Sequence, residues 1–275
     1  MVLSLLVPVQ QDNKFIALDF RRRYAFLNSF LLPTSFELIY VFGPKCQKAP
    51  GLLKALVSRM SHIKPKGSYH SDSKSLDDSQ ICIPINPPLV KIIKLKRSLG
   101  IGQYIKQGFK QADGDLITYT DPRKNIDLTV LKRMYNAFSS NCRLDAALPN
   151  RFLTESEFDV GRTRKIIYAC YRTIVFFITG LILHDIHTGV AMFKRESVLK
   201  ILPKLRICRR CFDIEILCHL RTQGSTNWKW VPISKDKVNV DNDSARFNIL
   251  SSVLGLLREF YSLLSLRFKR FLKYK

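Results

Sequence analysis

Acidic residues are scarce in this chain. Against 45 Lys and Arg stand 22 Asp and Glu, leaving a formal charge of +23 over 275 residues. A surface of that kind attracts phosphate-rich partners, whether nucleotides, anionic lipid headgroups or nucleic acid, and charge alone does not choose among them. Interleaved aromatic motifs that would stack on bases are missing, so nucleic-acid binding rests on charge only. No second C-x-x-C or spaced His pair accompanies Cys208 and Cys211. With Cys218 and His219 they form at most an incomplete zinc site or a redox pair. The seven cysteines are odd in number and mostly embedded in apolar or helical patterns, which favours free thiols in a reducing compartment. The apolar amino terminus has no basic n-region and is too short to span a bilayer, so it reads as a first strand and not as a signal peptide.

What is present suffices for a large core: apolar residues make up 46% of the chain, and the length suits one large α/β domain or two small ones. Leu3 to Val9 and Phe36 to Phe42 are β-forming runs separated by a basic stretch with helical spacing around Phe15, Leu18, Phe26 and Leu27. A helix follows from Gly51 to Met60, with Leu52, Leu53, Ala55, Leu56 and Met60 on its apolar face. Lys64 to Gln80 then reads as a solvated loop. Leu89 to Leu95 predicts a strand, Gly102 to Ala112 a helix, and Leu116 to Thr120 a strand ending at Asp121. Such alternation implies a largely parallel sheet with helices on both faces and ligands beyond the carboxyl ends of the strands, where Arg97, Gly100 and Asp121 fall.

After Leu144 the chain reads as more helical, with a helix around Phe212 to Arg221 and a late strand from Trp228 to Ile233. Ile166 to Leu183 has near-membrane length and is broken by Arg172; insertion into a membrane and a helix lying against one both remain open. From Phe247 onward Leu250, Val253, Leu254, Leu257, Tyr261, Leu264, Phe268 and Phe271 repeat at helical spacing among basic residues. That segment, 247–275, is expected to be a basic amphipathic helix, packed on the domain or laid on an anionic membrane surface.

Arg97-Ser-Leu-Gly-Ile-Gly102 follows a strand and opens a helix, so small residues let backbone amides approach an anion at a helix amino terminus. The same six residues also suit a plain tight turn. Asp121 at the end of a buried strand is placed to ligate a metal or grip a sugar hydroxyl, or to cap a turn.

Taken in order, Leu5-Leu-Val-Pro-Val, Glu37-Leu-Ile-Tyr-Val, the Arg97–Gly102 segment with Gly108 and Ala112-Asp-Gly-Asp, and then Asp121, resemble family 2 glycosyltransferases of the GT-A fold. Asp185-Ile-His-Thr-Gly-Val-Ala-Met-Phe-Lys-Arg-Glu, Arg210-Cys-Phe-Asp-Ile-Glu and Val231-Pro-Ile are similar to the dolichyl-phosphate glucosyltransferases and their mannosyltransferase relatives. The resemblance covers roughly residues 1 to 246. It implies an α/β GT-A (Rossmann-like) domain and an inverting transfer of a hexose from a UDP- or GDP-sugar to a polyprenyl or dolichyl phosphate. The setting it implies is a membrane surface on the cytoplasmic side, of the endoplasmic reticulum in a eukaryote or the inner membrane in a bacterium.

By the same resemblance Pro8, Asp12, Arg97, Gly100, Asp121 and Arg123 would bind the nucleotide-sugar. Asp121, Asp185, Arg151 and Arg164 would carry catalysis, and Arg164, Asp213 and Glu215 would face the acceptor. Mg²⁺ or Mn²⁺ would sit at Asp121 and Asn125. Arg123 occupies the place of the second aspartate of the family's Asp-x-Asp, putting a repelling charge where a metal-attracting one is usual. Phe42-Gly-Pro-Lys-Cys46 replaces the acidic segment that normally meets the nucleoside. These departures leave a second reading, a catalytically impaired GT-A-like protein with a membrane- or partner-binding role.

Overall fold

The structure is a computed structural model. It describes residues 1–61, 89–97, 100–121, 127–157, 161–185, 188–206 and 211–234, together with Tyr261 and Leu264. Seven strands form one sheet: β1 (Leu3–Val9), β2 (Phe36–Phe42), β3 (Leu89–Lys94), β4 (Leu116–Thr120), β5 (Ala146–Asn150), β6 (Val190–Lys194) and β7 (Trp228–Pro232). Their order is β3-β2-β1-β4-β6-β5-β7, with β6 antiparallel to both of its neighbours and every other pairing parallel. This is the expected mostly parallel α/β sheet.

Helices cover both faces, as parallel strands buried on two sides require. Leu3, Leu5, Val7 and Val9 pack with α1 (Ile16–Asn28), α2 (Ala49–Ser61) and α4 (Thr129–Ser140). Leu6 points the other way, toward the layer built by α3 (Ile101–Lys110), α5 (Arg162–Thr179), α6 (Arg195–Ile201) and α7 (Phe212–Thr222). Gly108 of α3 lies directly over Leu6, where a Cβ would collide with the Leu6 side chain. That missing side chain is what lets the helix sit close to the central strand.

Two helix faces differ from the sequence expectation. In α1 the buried residues are Ile16, Phe20, Arg23, Tyr24 and Leu27, while Phe15 and Leu18 face solvent. In α2 Leu53 and Met60 are buried and Leu52 is exposed. The region after Leu144 is less helical than its composition suggests, since β5 and β6 both lie there. The stretch Ile166 to Leu183 is not one continuous span. Helix α5 stops at Thr179, where Gly180 takes a left-handed φ of 71°, and Tyr171, Val175, Leu181 and Leu183 are buried against the domain. Among the described residues no helix is long and apolar enough to cross a membrane. The loop from Lys64 to Gln80 and most of 247–275 fall outside the described residues; Tyr261 and Leu264 are both exposed.

At the amino ends of the strands a buried carboxylate fixes the α3–β4 turn. Glu37 accepts from the Ser4 hydroxyl (2.5 Å) and the Asp113 amide (2.7 Å), and the Lys91 ammonium lies 2.7 Å from its other oxygen. Ser4 in turn accepts from the Gly114 amide at 2.9 Å. The Ala112-Asp-Gly-Asp segment is therefore a structural turn at the end of the sheet remote from the ligand side.

Candidate active site

The strand order reverses at β1. From β1 the chain builds outward to β2 and β3 on one side, and β4 with its antiparallel partner lies on the other. Open α/β sheets bind ligands at such a switch point, beyond the carboxyl ends of the strands. Here pairing between β1 and β4 stops at Leu6↔Tyr119, while β1 continues along β2 to Val9↔Phe42. Pro8 sits in the unpaired stretch, so its lack of an N–H costs no ladder bond toward β4. Pro8 and Asp121 thus flank a crevice. Gly100, the residue before the first turn of α3, and Arg97, exposed after β3, also follow the carboxyl end of a strand.

The carboxylate of Asp12 is engaged elsewhere. Its oxygens accept from the amides of Gln47 (3.0 Å), Lys48 (3.2 Å) and Ala49 (3.0 Å), capping α2 across the chain. The Ala49 amide foremost holds its pKa below the ordinary carboxylate value. The carboxylate expected to grip the nucleotide caps α2, which begins there with unsatisfied amides and no acid in its first turn. Cys46, in the segment replacing the family's acidic one, is buried with its thiol 3.3 Å from the Val9 carbonyl. Burial pushes its pKa up, so it is no ready nucleophile.

A residue that sequence reading missed lies beneath the crevice. Arg23 of α1 is buried, pairs with Asp19 at 2.9 Å and donates to the Thr120 hydroxyl at 2.5 Å, one residue from Asp121. Burial disfavours its charge, but Asp19, and to a lesser degree Asp121, outweigh that and raise its pKa. Asp121 itself is buried, with its amide donating to Gly189 at 2.8 Å. Among the described residues no three His, Cys, Asp or Glu converge as a metal site. Among the described residues Asp121 is thus the strand-end carboxylate left to meet a divalent ion, with Arg23 near enough to feel its charge. Arg123 and Asn125 lie outside the described residues, as does the side chain of Arg164.

On the β5–β7 side of the sheet Arg151 and Asp185 form a buried ion pair. Arg151 donates to the two carboxylate oxygens at 2.7 and 2.9 Å, and its backbone amide donates again at 2.8 Å. The guanidinium also lies over the Tyr168 ring, 4.4 Å from its centroid, and donates to the Tyr168 hydroxyl at 3.0 Å. Asp185 and Asp213 line one small pocket with Tyr119, Thr188, Leu217 and Trp230. Tyr119 donates to Asp213 at 2.5 Å; burial, reinforced by that carboxylate, holds its pKa well above the usual phenol value. Glu215 is not in the pocket wall. It is fully buried, accepts from the Arg206 amide at 2.8 Å and lies 4.0 Å from His219 of the same helix.

The described site thus joins strand-end residues Pro8 and Asp121 of a mostly parallel sheet to a small, largely apolar pocket that includes Asp185 and Asp213. Residues 72–202 match the family model for glycosyl transferase family 2. No curated protein sequence matches the chain. Among solved structures, glucosyl-3-phosphoglycerate synthase from Mycobacterium tuberculosis, in complex with Mn²⁺, UDP and phosphoglyceric acid, aligns with a TM-score of 0.59 at 12% identity over 97% of this chain and 78% of that one. S. aureus TarS 1-349 in complex with UDP-GlcNAc aligns with a TM-score of 0.52 at 13% identity over 96% and 66%. TarS 1-349 without the sugar nucleotide aligns over 86% of this chain, which spans 60% of that one. At these identities the likeness establishes the fold. The family match, confined to residues 72–202, is a similarity to glycosyl transferase family 2 over just under half of the chain.

Proposed function

We propose that the chain transfers a sugar from a nucleoside diphosphate donor, bound in the β1/β4 crevice, to a polyprenyl or dolichyl phosphate at a membrane surface. The observation that carries this reading is the crevice itself, with Pro8, Gly100 and Asp121 at the switch point of a chain matched to glycosyl transferase family 2. The donor diphosphate would meet the amino end of α3 and the exposed guanidinium of Arg97. Arg123 and Lys124 follow Asp121 by two and three residues in the sequence and would add positive charge to the donor's surroundings. Charge developing on the leaving diphosphate is then neutralised chiefly by protein cations. Glucosyl-3-phosphoglycerate synthase is solved with UDP and Mn²⁺ or Mg²⁺, and a metal here would depend on Asp121 and Asn125.

In the transfer step an acceptor phosphate oxygen forms the new bond to the anomeric carbon as the bond to the diphosphate oxygen breaks, the electron pair leaving with the diphosphate. The acceptor is already ionised at neutral pH, so no general base is required. That suits a pocket in which Asp185 is held by Arg151 and Asp213 by Tyr119. Arg151, Arg164 and Asp213 remain the residues proposed to order the acceptor side. The capping of α2 by Asp12 favours a second reading, a GT-A-like protein that has lost catalysis.

Calorimetric titration with UDP, GDP and their sugars, with and without Mn²⁺, tests the donor half. Incubation of labelled UDP-glucose or GDP-mannose with polyprenyl phosphate or phosphoglycerate, with and without EDTA, tests the acceptor. A labelled lipid is expected. Nucleotide binding without any labelled product would establish the impaired reading.

A further inference from the structure

Among the described residues, α5 presents a stripe of exposed apolar side chains. Ile166, Ile174 and Phe177 follow one another at helical spacing and are 64%, 40% and 69% exposed, and Ile182 just beyond the helix is 74% exposed. Phe176 stacks edge-on against Phe177 and is itself partly bare. The opposite face is anchored through Tyr171 and Val175, so this stripe is not left over from a loosely placed helix. Its charge is one-sided. Between Asp159 and Asp185 the sequence holds Arg162, Arg164, Lys165 and Arg172 and no acidic residue.

We propose that this face of α5 is the surface through which the protein lies on an anionic lipid bilayer, with Ile166, Ile174, Phe177 and Ile182 entering the headgroup boundary. Charge complementarity selects that occupant. A second copy of the chain would bring Arg162 and Lys165, both exposed on α5, against themselves, on a molecule already at +23. Lipid phosphate neutralises them instead, while the aromatic and aliphatic side chains reach the acyl edge. The inference deepens the lipid-phosphate reading above and rests on it for the choice of a membrane.

The location fits delivery of a lipid acceptor. Arg172 donates to the His184 carbonyl at 2.6 Å, and Tyr168 receives Arg151, so α5 is tied directly to the segment presenting Asp185. A helix seated on the bilayer would bring the Asp185–Asp213 pocket near the headgroups, where an isoprenoid phosphate emerges.

The test is vesicle flotation of the full chain on phosphatidylcholine alone and with phosphatidylserine. Wild type should float with the anionic vesicles only. The Ile166→Glu/Phe177→Glu double variant should bind at least about tenfold more weakly, and Phe177→Ser by a smaller factor, with unchanged thermal melting, since these positions are exposed. Flotation of the double variant at wild-type level overturns the proposal, as does binding indifferent to phosphatidylserine. A concentration-dependent wild-type dimer that the double variant abolishes would assign the face to a second copy. A water-soluble short-chain prenyl phosphate separates this from the functional reading. Variants that lose flotation but transfer sugar to the soluble acceptor support both, whereas lost flotation with no transfer by any form leaves the docking face intact and removes the acceptor assignment.

Discussion

Arg151 holds Asp185 by three hydrogen bonds, two from its guanidinium and one from its own backbone amide, joining the end of β5 to the segment that leads into β6. The two side chains are 9% and 1% exposed, so each charge depends on the other for the solvation it has lost. Asp185→Asn or Arg151→Leu should each destabilise the fold by about 3–5 kcal/mol, because each strands the remaining partner. The double variant should cost well under the sum, and a urea-unfolding double-mutant cycle reads the coupling.

Arg23 is the second buried cation, and its loss should be felt at the crevice. Arg23→Leu removes the partner of Asp19 and the donor to Thr120, with an expected cost on the order of 3 kcal/mol. Arg23→Lys restores charge without the forked geometry and should recover only part of that stability. If Arg23 supplies the charge that offsets Asp121, wild-type UDP affinity should change by less than about threefold on EDTA treatment. The Leu variant should become more responsive to Mn²⁺.

The cap made by Asp12 gives an acid-side signature. Its pKa is lowered in the folded protein, so the stabilisation is complete above the unfolded carboxylate value and is lost as pH falls through the lower, folded one. Melting temperature should drop on acidification below the ordinary carboxylate value of 3.8. Asp12→Asn should flatten that part of the profile and lower stability at neutral pH. An unchanged profile would dissociate Asp12 from the amino end of α2.

Gly108 permits the close approach of α3 to β1. Gly108→Ala drives a methyl group into Leu6, and such overpacking costs typically about 1–3 kcal/mol. Combining it with Leu6→Val should recover part of the loss in thermal unfolding.

Much of the fold was legible locally. Leu3–Val9, Phe36–Phe42 and Leu116–Thr120 are apolar runs bounded by turn-forming residues, and each is a strand at those residues. Helix α4 carries a clear signal, since Val130, Leu131, Met134, Ala137 and Phe138 recur at helical spacing. Strand β5 had no comparable signal. Ala-Ala-Leu-Pro-Asn neither alternates nor is rich in β-branched residues, and it becomes a strand because β6 and β7 pair with it on either side.

The sequence by itself determined the mostly parallel α/β architecture and the position of Asp121 at a strand end, because both follow from short-range hydrophobic patterning. Only the tertiary structure decided what the charges do. Arg21-Arg22-Arg23 reads as one basic run, and burial against β4 singles out the third as a structural cation. Asp12 reads in the sequence as a ligand-side carboxylate, and the fold brings the amides of α2 to it. A carboxylate's role is set by which donors reach it, and donors 34 or 37 residues away, as for Asp185 and Asp12, are brought there by the fold alone.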